Sequence, residues 1–172
     1  GDDHHVRIDT ELDDGDIVNE QLDMLNELKL KVKENSNVFI YGHRTIWKET
    51  YDEFDGIFND NTQSIGQPNY ETDVLPILSD MGKKSNVFVF AGSIGGEAPA
   101  SFFYHEDPEN KITYIATAIR ALPRDAMLEV NVVDGQVHFS THSLTGQELE
   151  PLENYNVEFW QSESGAEPFN WR

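Results

Sequence analysis

Two residues with chemical potential stand at the ends of two similar phrases. His43 closes Ser36-Asn37-Val38-Phe39-Ile40-Tyr41-Gly42-His43, and Ser93 directly follows Ser85-Asn86-Val87-Phe88-Val89-Phe90-Ala91-Gly92. An imidazole can ligate a metal or carry a proton, and a hydroxyl can hold a phosphate oxygen or act as a nucleophile when a base activates it. Each phrase is a short apolar, β-branched and aromatic run that follows a lysine-ended helical pattern and stops at glycine. Such a run predicts a strand buried on both faces, as in a parallel sheet covered by helices. Ligands of open α/β sheets bind beyond the carboxyl ends of the strands. His43 and Ser93 are therefore the first positions at which to look for chemistry.

Other residue sets carry weaker signals. His138 and His142 share a strand face but stand four residues apart, about 13 Å by strand rise, which is too far for one metal; cross-strand or surface roles fit them better. Asp13-Asp14-Gly15-Asp16 invites a calcium reading but lacks the alternating acidic spacing and the closing glutamate of that loop. A turn with an N-cap suits it better. Gly92-Ser93-Ile94-Gly95-Gly96 resembles a phosphate cradle only in its glycines; it has no P-loop lysine and is not a dinucleotide fingerprint, so a tight strand-to-loop turn is expected. Neither Ser93, Ser101 nor Ser140 lies in a Gly-x-Ser-x-Gly elbow. The aromatic residues of 46–58 suit a core rather than a sugar platform.

The elements that would position these residues follow from periodicity. Val6-Arg7-Ile8 reads as a short strand, and Ile17, Leu22, Leu25 and Leu28 mark a helix whose last turn carries Lys29, Lys31 and Lys33, where positive charge suits the helix dipole. Strand 37–42 comes next, then a helical stretch capped by Thr45 with Ile46, Trp47, Tyr51, Phe54 and Phe58. Residues 59–69 are a loop by composition. A third helix is expected from about Glu71 to Met81, interrupted at Pro76 and closed by Gly82. Strand 86–91 is followed by strands at 101–105, 111–118, 127–133 and 136–142, the last two joined by Asp134-Gly135, a strong hairpin signal. The tail 147–172 is acidic and aromatic, with Trp160 and Trp171, and reads as a packing strap or a poorly ordered end.

Composition narrows the class. With 172 residues the chain suits one domain, 1–172. Thirty-two Asp and Glu against twelve Lys and Arg give a net charge of −20, which argues against a nucleic-acid backbone or an anionic membrane as partner. There is no cysteine, which excludes disulfides, thiolate metal sites and cysteine nucleophiles. No apolar run reaches the length of a membrane span. The first residue, Gly1 rather than Met, reads as a processed or engineered end, and with the acidic surface it is compatible with an exported chain, secreted or periplasmic.

The order of motifs resembles the C-terminal half of the calcineurin-like metallophosphoesterases, especially secreted bacterial members. The matching stretches are Asn19-Glu20-Gln21-Leu22-Asp23-Met24-Leu25, Val38 to Trp47, Val87 to Gly92, Ile112 to Thr117, and Leu128 to Val137, together covering roughly residues 6–145. The resemblance implies an α/β fold: a mixed sheet with flanking helices and a C-terminal antiparallel hairpin, similar to one half of a four-layer α/β/β/α sandwich. It also implies two divalent metals (Mn, Fe or Zn) that stabilise the attacking and leaving oxygens of a phosphoester. His43 matches the family's single histidine ligand. Ser93 and Gly95 stand where two further histidines are usual, and neither replaces an imidazole. Ser93 and Arg44 become expected substrate contacts. The remaining ligands belong to motifs of a first half, so the resemblance implies either a partner that supplies them or self-association through an open sheet. The alternative is a non-catalytic binding or assembly module derived from that fold.

Overall fold

The computed structural model describes residues 3–12, 14–54, 57–58, 68–94, 99–119 and 122–164. Four strands run parallel at the centre: β1 (His4–Arg7), β2 (Asn37–Gly42), β3 (Asn86–Ala91) and β5 (Ile112–Thr117). β4 (Phe102–Asp107) pairs antiparallel with β5, giving a five-stranded mixed sheet of order β1-β2-β3-β5-β4. β6 (Ala126–Val133) and β7 (Gln136–Ser143) form a separate antiparallel hairpin. The expected α/β class, mixed sheet and closing hairpin are all present.

The two similar phrases are neighbours in the sheet, aligned residue for residue: Asn37 opposite Asn86, Val38 opposite Val87, Phe39 opposite Phe88, and on to Gly42 opposite Ala91. Asn86 Nδ2 donates to Asn37 Oδ1 at 3.0 Å, so even the polar residue that opens each phrase pairs with its counterpart. Alternation then sorts the side chains onto two faces. Val38, Ile40, Val87, Val89, Ile112, Tyr114 and Ala116 point into the larger core. Leu25 and Leu28 of helix α1 (Glu20–Lys31) and Ile77, Leu78 and Met81 of α2 (Leu75–Gly82) cover that face.

On the other face, Phe102, Tyr104 and Ile115 form a second cluster with Ala126, Leu152 and Tyr155. Phe139 of β7 reaches across from the hairpin to Phe88 and Tyr104, with ring centroids at 5.8 and 6.5 Å. At the hairpin tip, Asn37 Nδ2 donates to the Gly135 carbonyl at 3.1 Å. Asp134 (φ 52°) and Gly135 (φ 80°) both take the left-handed conformation that a two-residue turn of this hand requires.

Three expected elements differ in detail. The expected helix is absent over 45–54, which runs through turns and a 3₁₀ turn at Asp52–Phe54, and the aromatic side chains there are driven into the core from several directions. Trp47 is fully buried against Phe54, Phe58, Phe103 and Tyr114. The third helix begins as a π-helical turn, Tyr70–Val74, that runs directly into α2, with Pro76 in the first turn of α2. In the tail, helix α3 (Val157–Ser164) buries Trp160, whose indole donates to the Phe102 carbonyl at 3.0 Å, so this part of the tail is a strap. Trp171 and residues 59–67 of the expected loop lie outside the described residues.

Candidate functional site

The carboxyl ends of β1, β2 and β3 form one rim, and the residues singled out by position gather there. Thr10, buried just beyond β1, accepts the backbone N–H groups of His43 at 3.2 Å and Arg44 at 2.9 Å through one hydroxyl oxygen. That contact fixes where the chain turns out of β2. Gly92 N–H in turn bonds the carbonyls of Gly42 at 3.2 Å and His43 at 3.0 Å. The turns after β2 and β3 are thus tied together by main-chain bonds, with His43 exposed at the edge.

Glycine at 92 leaves the space beside the imidazole open. A Cβ placed there would sit 3.5 Å from His43 Nδ1, an ordinary contact distance, so any longer side chain would lie against the ring. Ser93 follows, half-buried on the same rim. Gly95 and Gly96 lie outside the described residues. Arg44 is engaged already: its Nε and Nη2 both lie 3.2 Å from Glu11 Oε2. Contact between Arg44 and a substrate would require that pair to open.

The described residues of the rim offer a metal few ligands. His43 is its one imidazole, the Thr10 hydroxyl is occupied by two backbone N–H groups, and the Glu11 carboxylate is held by Arg44. Among the described residues no three His, Asp or Glu side chains converge. One imidazole alone does not make a dinuclear centre.

The other candidates fall elsewhere. His138 and His142 share the solvent face of β7; His142 Nε2 lies 2.9 Å from Glu129 Oε2, and this contact holds the Glu129 carboxyl below its usual range. The Ser101 hydroxyl donates to the Arg124 carbonyl at 2.7 Å, a structural bond, and Ser140 is exposed on the hairpin. Asp14 and Asp16 belong to a turn, with Asp16 N–H donating to Asp14 Oδ1 at 3.2 Å; Asp16 Oδ1 also accepts the Asn69 N–H at 2.7 Å. Asp13 lies outside the described residues.

A polar cluster near the β4–β5 turn was not foreseen. Tyr51 donates to Asp107 Oδ2 at 2.5 Å, and the Tyr114 hydroxyl lies 3.1 Å from that of Tyr51 and 2.8 Å from that of Tyr70. Burial raises all three phenols, Tyr114 to about 12 and the other two further. These groups stay protonated and serve as bracing; their partners lie 44 to 63 residues apart, which no local pattern reveals.

No family model, no curated protein and no solved structure matches this chain.

Proposed function

We propose that this chain is a piece of a phosphoesterase-type domain that contributes one metal ligand, His43, and depends on a further polypeptide segment for the rest. The observation that carries the reading is the rim itself: an exposed imidazole at the end of a parallel strand, beside the glycine that follows the adjacent strand and leaves its Nδ1 side open. Ligands placed at strand ends are what an open α/β sheet offers best. On this reading, the chain's own part is to hold the imidazole in place through Thr10 and Gly92. Completed, the site would act on phosphoesters, with Mn, Fe or Zn as the metal and Ser93 as a substrate contact.

The chain alone is expected to hydrolyse neither p-nitrophenyl phosphate nor its bis ester above a metal-only control. Turnover well above that control that vanishes in His43→Ala would mean that the chain carries a complete site and needs no second segment. The second reading, a non-catalytic binding module, is favoured by serine at the position where an imidazole is usual. Under it, the chain would stay inactive even when mixed with a polypeptide bearing the Asp-x-His half.

A further inference from the structure

A different region offers a binding surface that the rim does not use. β1 is the outermost strand of the sheet. Ile8 N–H donates to the Tyr41 carbonyl at 2.9 Å, which fixes the phase of the strand. Backbone groups of even-numbered residues face β2, and those of His5 and Arg7 face the open side, because a strand's N–H and C=O groups alternate in direction. Asp9 N–H, next in that series, is closed off by Gln21 Oε1 at 2.5 Å. The edge is therefore covered beyond Arg7, whereas no strand pairs with it at His5 and Arg7 among the described residues.

The side chains of the same two residues line a cavity of about 490 Å³ together with Tyr41. His5 Nδ1 lies 2.9 Å from the Tyr41 hydroxyl, and the His5 ring stacks on Phe39 at 4.7 Å and 9°. Arg7 is exposed and has no carboxylate partner among the described residues. Five other cations, Lys29, Lys31, Arg44, Lys48 and Lys83, each face an acid, so the Arg7 guanidinium stays available to a carboxylate brought from outside. Val130 and Val132 lie on the hairpin face from which Phe139 reaches the sheet, and they remain 37 and 38 % exposed.

We propose that the open edge of β1 and the His5–Arg7–Tyr41 cavity together receive a polypeptide strand that carries one acidic side chain among apolar ones. The strand bonds the free backbone groups of His5 and Arg7 and seats its carboxylate on the Arg7 guanidinium, a charge-assisted pair in which two parallel N–H donors meet two oxygens. Its apolar residues meet Tyr41, Val130 and Val132. A strongly acidic segment is repelled by the rest of the surface, and a second copy of the chain would bring Arg7 and His5 against their own kind. The proposal rests on the reading that a further segment completes this chain, but not on metal binding at His43.

The test uses the whole chain, labelled for amide NMR, with EDTA present so that metal plays no part. Three probes are titrated: a blocked ten-residue peptide of alternating valine and threonine with one central glutamate, its glutamine counterpart, and glutarate. The glutamate peptide should shift the amides of His5 and Arg7 and bind at least about tenfold more tightly than the glutamine peptide, with Arg7→Gln erasing that difference. Equal binding of the two peptides, no binding of either, or glutarate matching the glutamate peptide would each overturn the proposal.

Discussion

At the scale of single residues, the stability of this chain is concentrated in a few buried aromatic side chains and close backbone contacts. Trp47 is fully buried, and its indole N–H has no hydrogen-bond partner among the described residues. Trp47→Ala should therefore cost about 3–5 kcal/mol in denaturant unfolding, whereas Trp47→Phe, which keeps much of the packing and breaks no hydrogen bond, should cost distinctly less. Equal losses would mean that the indole makes a bond that the packing does not account for. Gly82 is constrained differently: a Cβ there would lie 2.1 Å from the Asn110 carbonyl oxygen. Gly82→Ala is expected to destabilise by about 1–3 kcal/mol as α2 and the β4–β5 turn move apart, and an unchanged unfolding midpoint would contradict that contact. Asn69 illustrates what the sequence conceals at this scale. By composition it belongs to a loop, yet it accepts from Ile17 N–H at 2.8 Å and donates to the Ile17 carbonyl at 2.9 Å, bracing the segment before α1 against α2. No local pattern encodes a bond between residues 52 positions apart.

Elements whose pattern is local were legible, and those shaped by distant packing were not. The paired phrases announced two buried strands because both faces are covered, and Asp134-Gly135 announced its turn because few residue pairs tolerate that backbone. Gly135 has open space around it, so Gly135→Val should strain only the backbone, lowering stability by about 1–2 kcal/mol without disturbing the sheet. Chemical shifts confined to the hairpin would agree, and global unfolding would not. Residues 45–58 misled because helical spacing of aromatics is also what a buried, irregular segment displays. That segment ends beside β4, where His105 Nδ1 lies 3.2 Å from Glu53 Oε1. Burial holds the His105 imidazole below its ordinary value, with Glu53, Asp107 and Glu106 opposing. The unfolded chain takes up this proton first, so stability should decline as pH falls below about 6.5 and level off once the folded imidazole is also protonated. His105→Gln should flatten the decline in melting temperature between pH 7 and about 5; a slope identical to that of the parent would show that other groups govern it.

For the whole molecule, the α/β class could be read because the alternation of helical and strand patterns leaves few ways to bury both faces. The site could not be read to the same depth. Sequence placed His43 and Ser93 at strand ends, and the fold puts both on one rim, but the pairing of Arg44 with Glu11 and the vacant flank of β1 depend on how distant segments meet. With a net charge of −20, and with Arg7 and His5 of one copy set against those of another at the β1 edge, the chain should stay monomeric at ~0.01 M salt and also at ~0.1 M, where the Debye length has shrunk from ~30 to ~10 Å. Light scattering that finds dimers at ~0.1 M would mean that the edge pairs with copies of itself rather than with a different segment. The central claim, that His43 is a lone ligand position awaiting co-ligands, is tested most directly by titrating Mn²⁺ and Zn²⁺ into the chain and into His43→Ala, with elemental analysis of the purified protein. The expected result is less than about one retained equivalent, with weak binding that falls further in His43→Ala. Two tightly held metals per chain, or binding indifferent to the loss of His43, would contradict it.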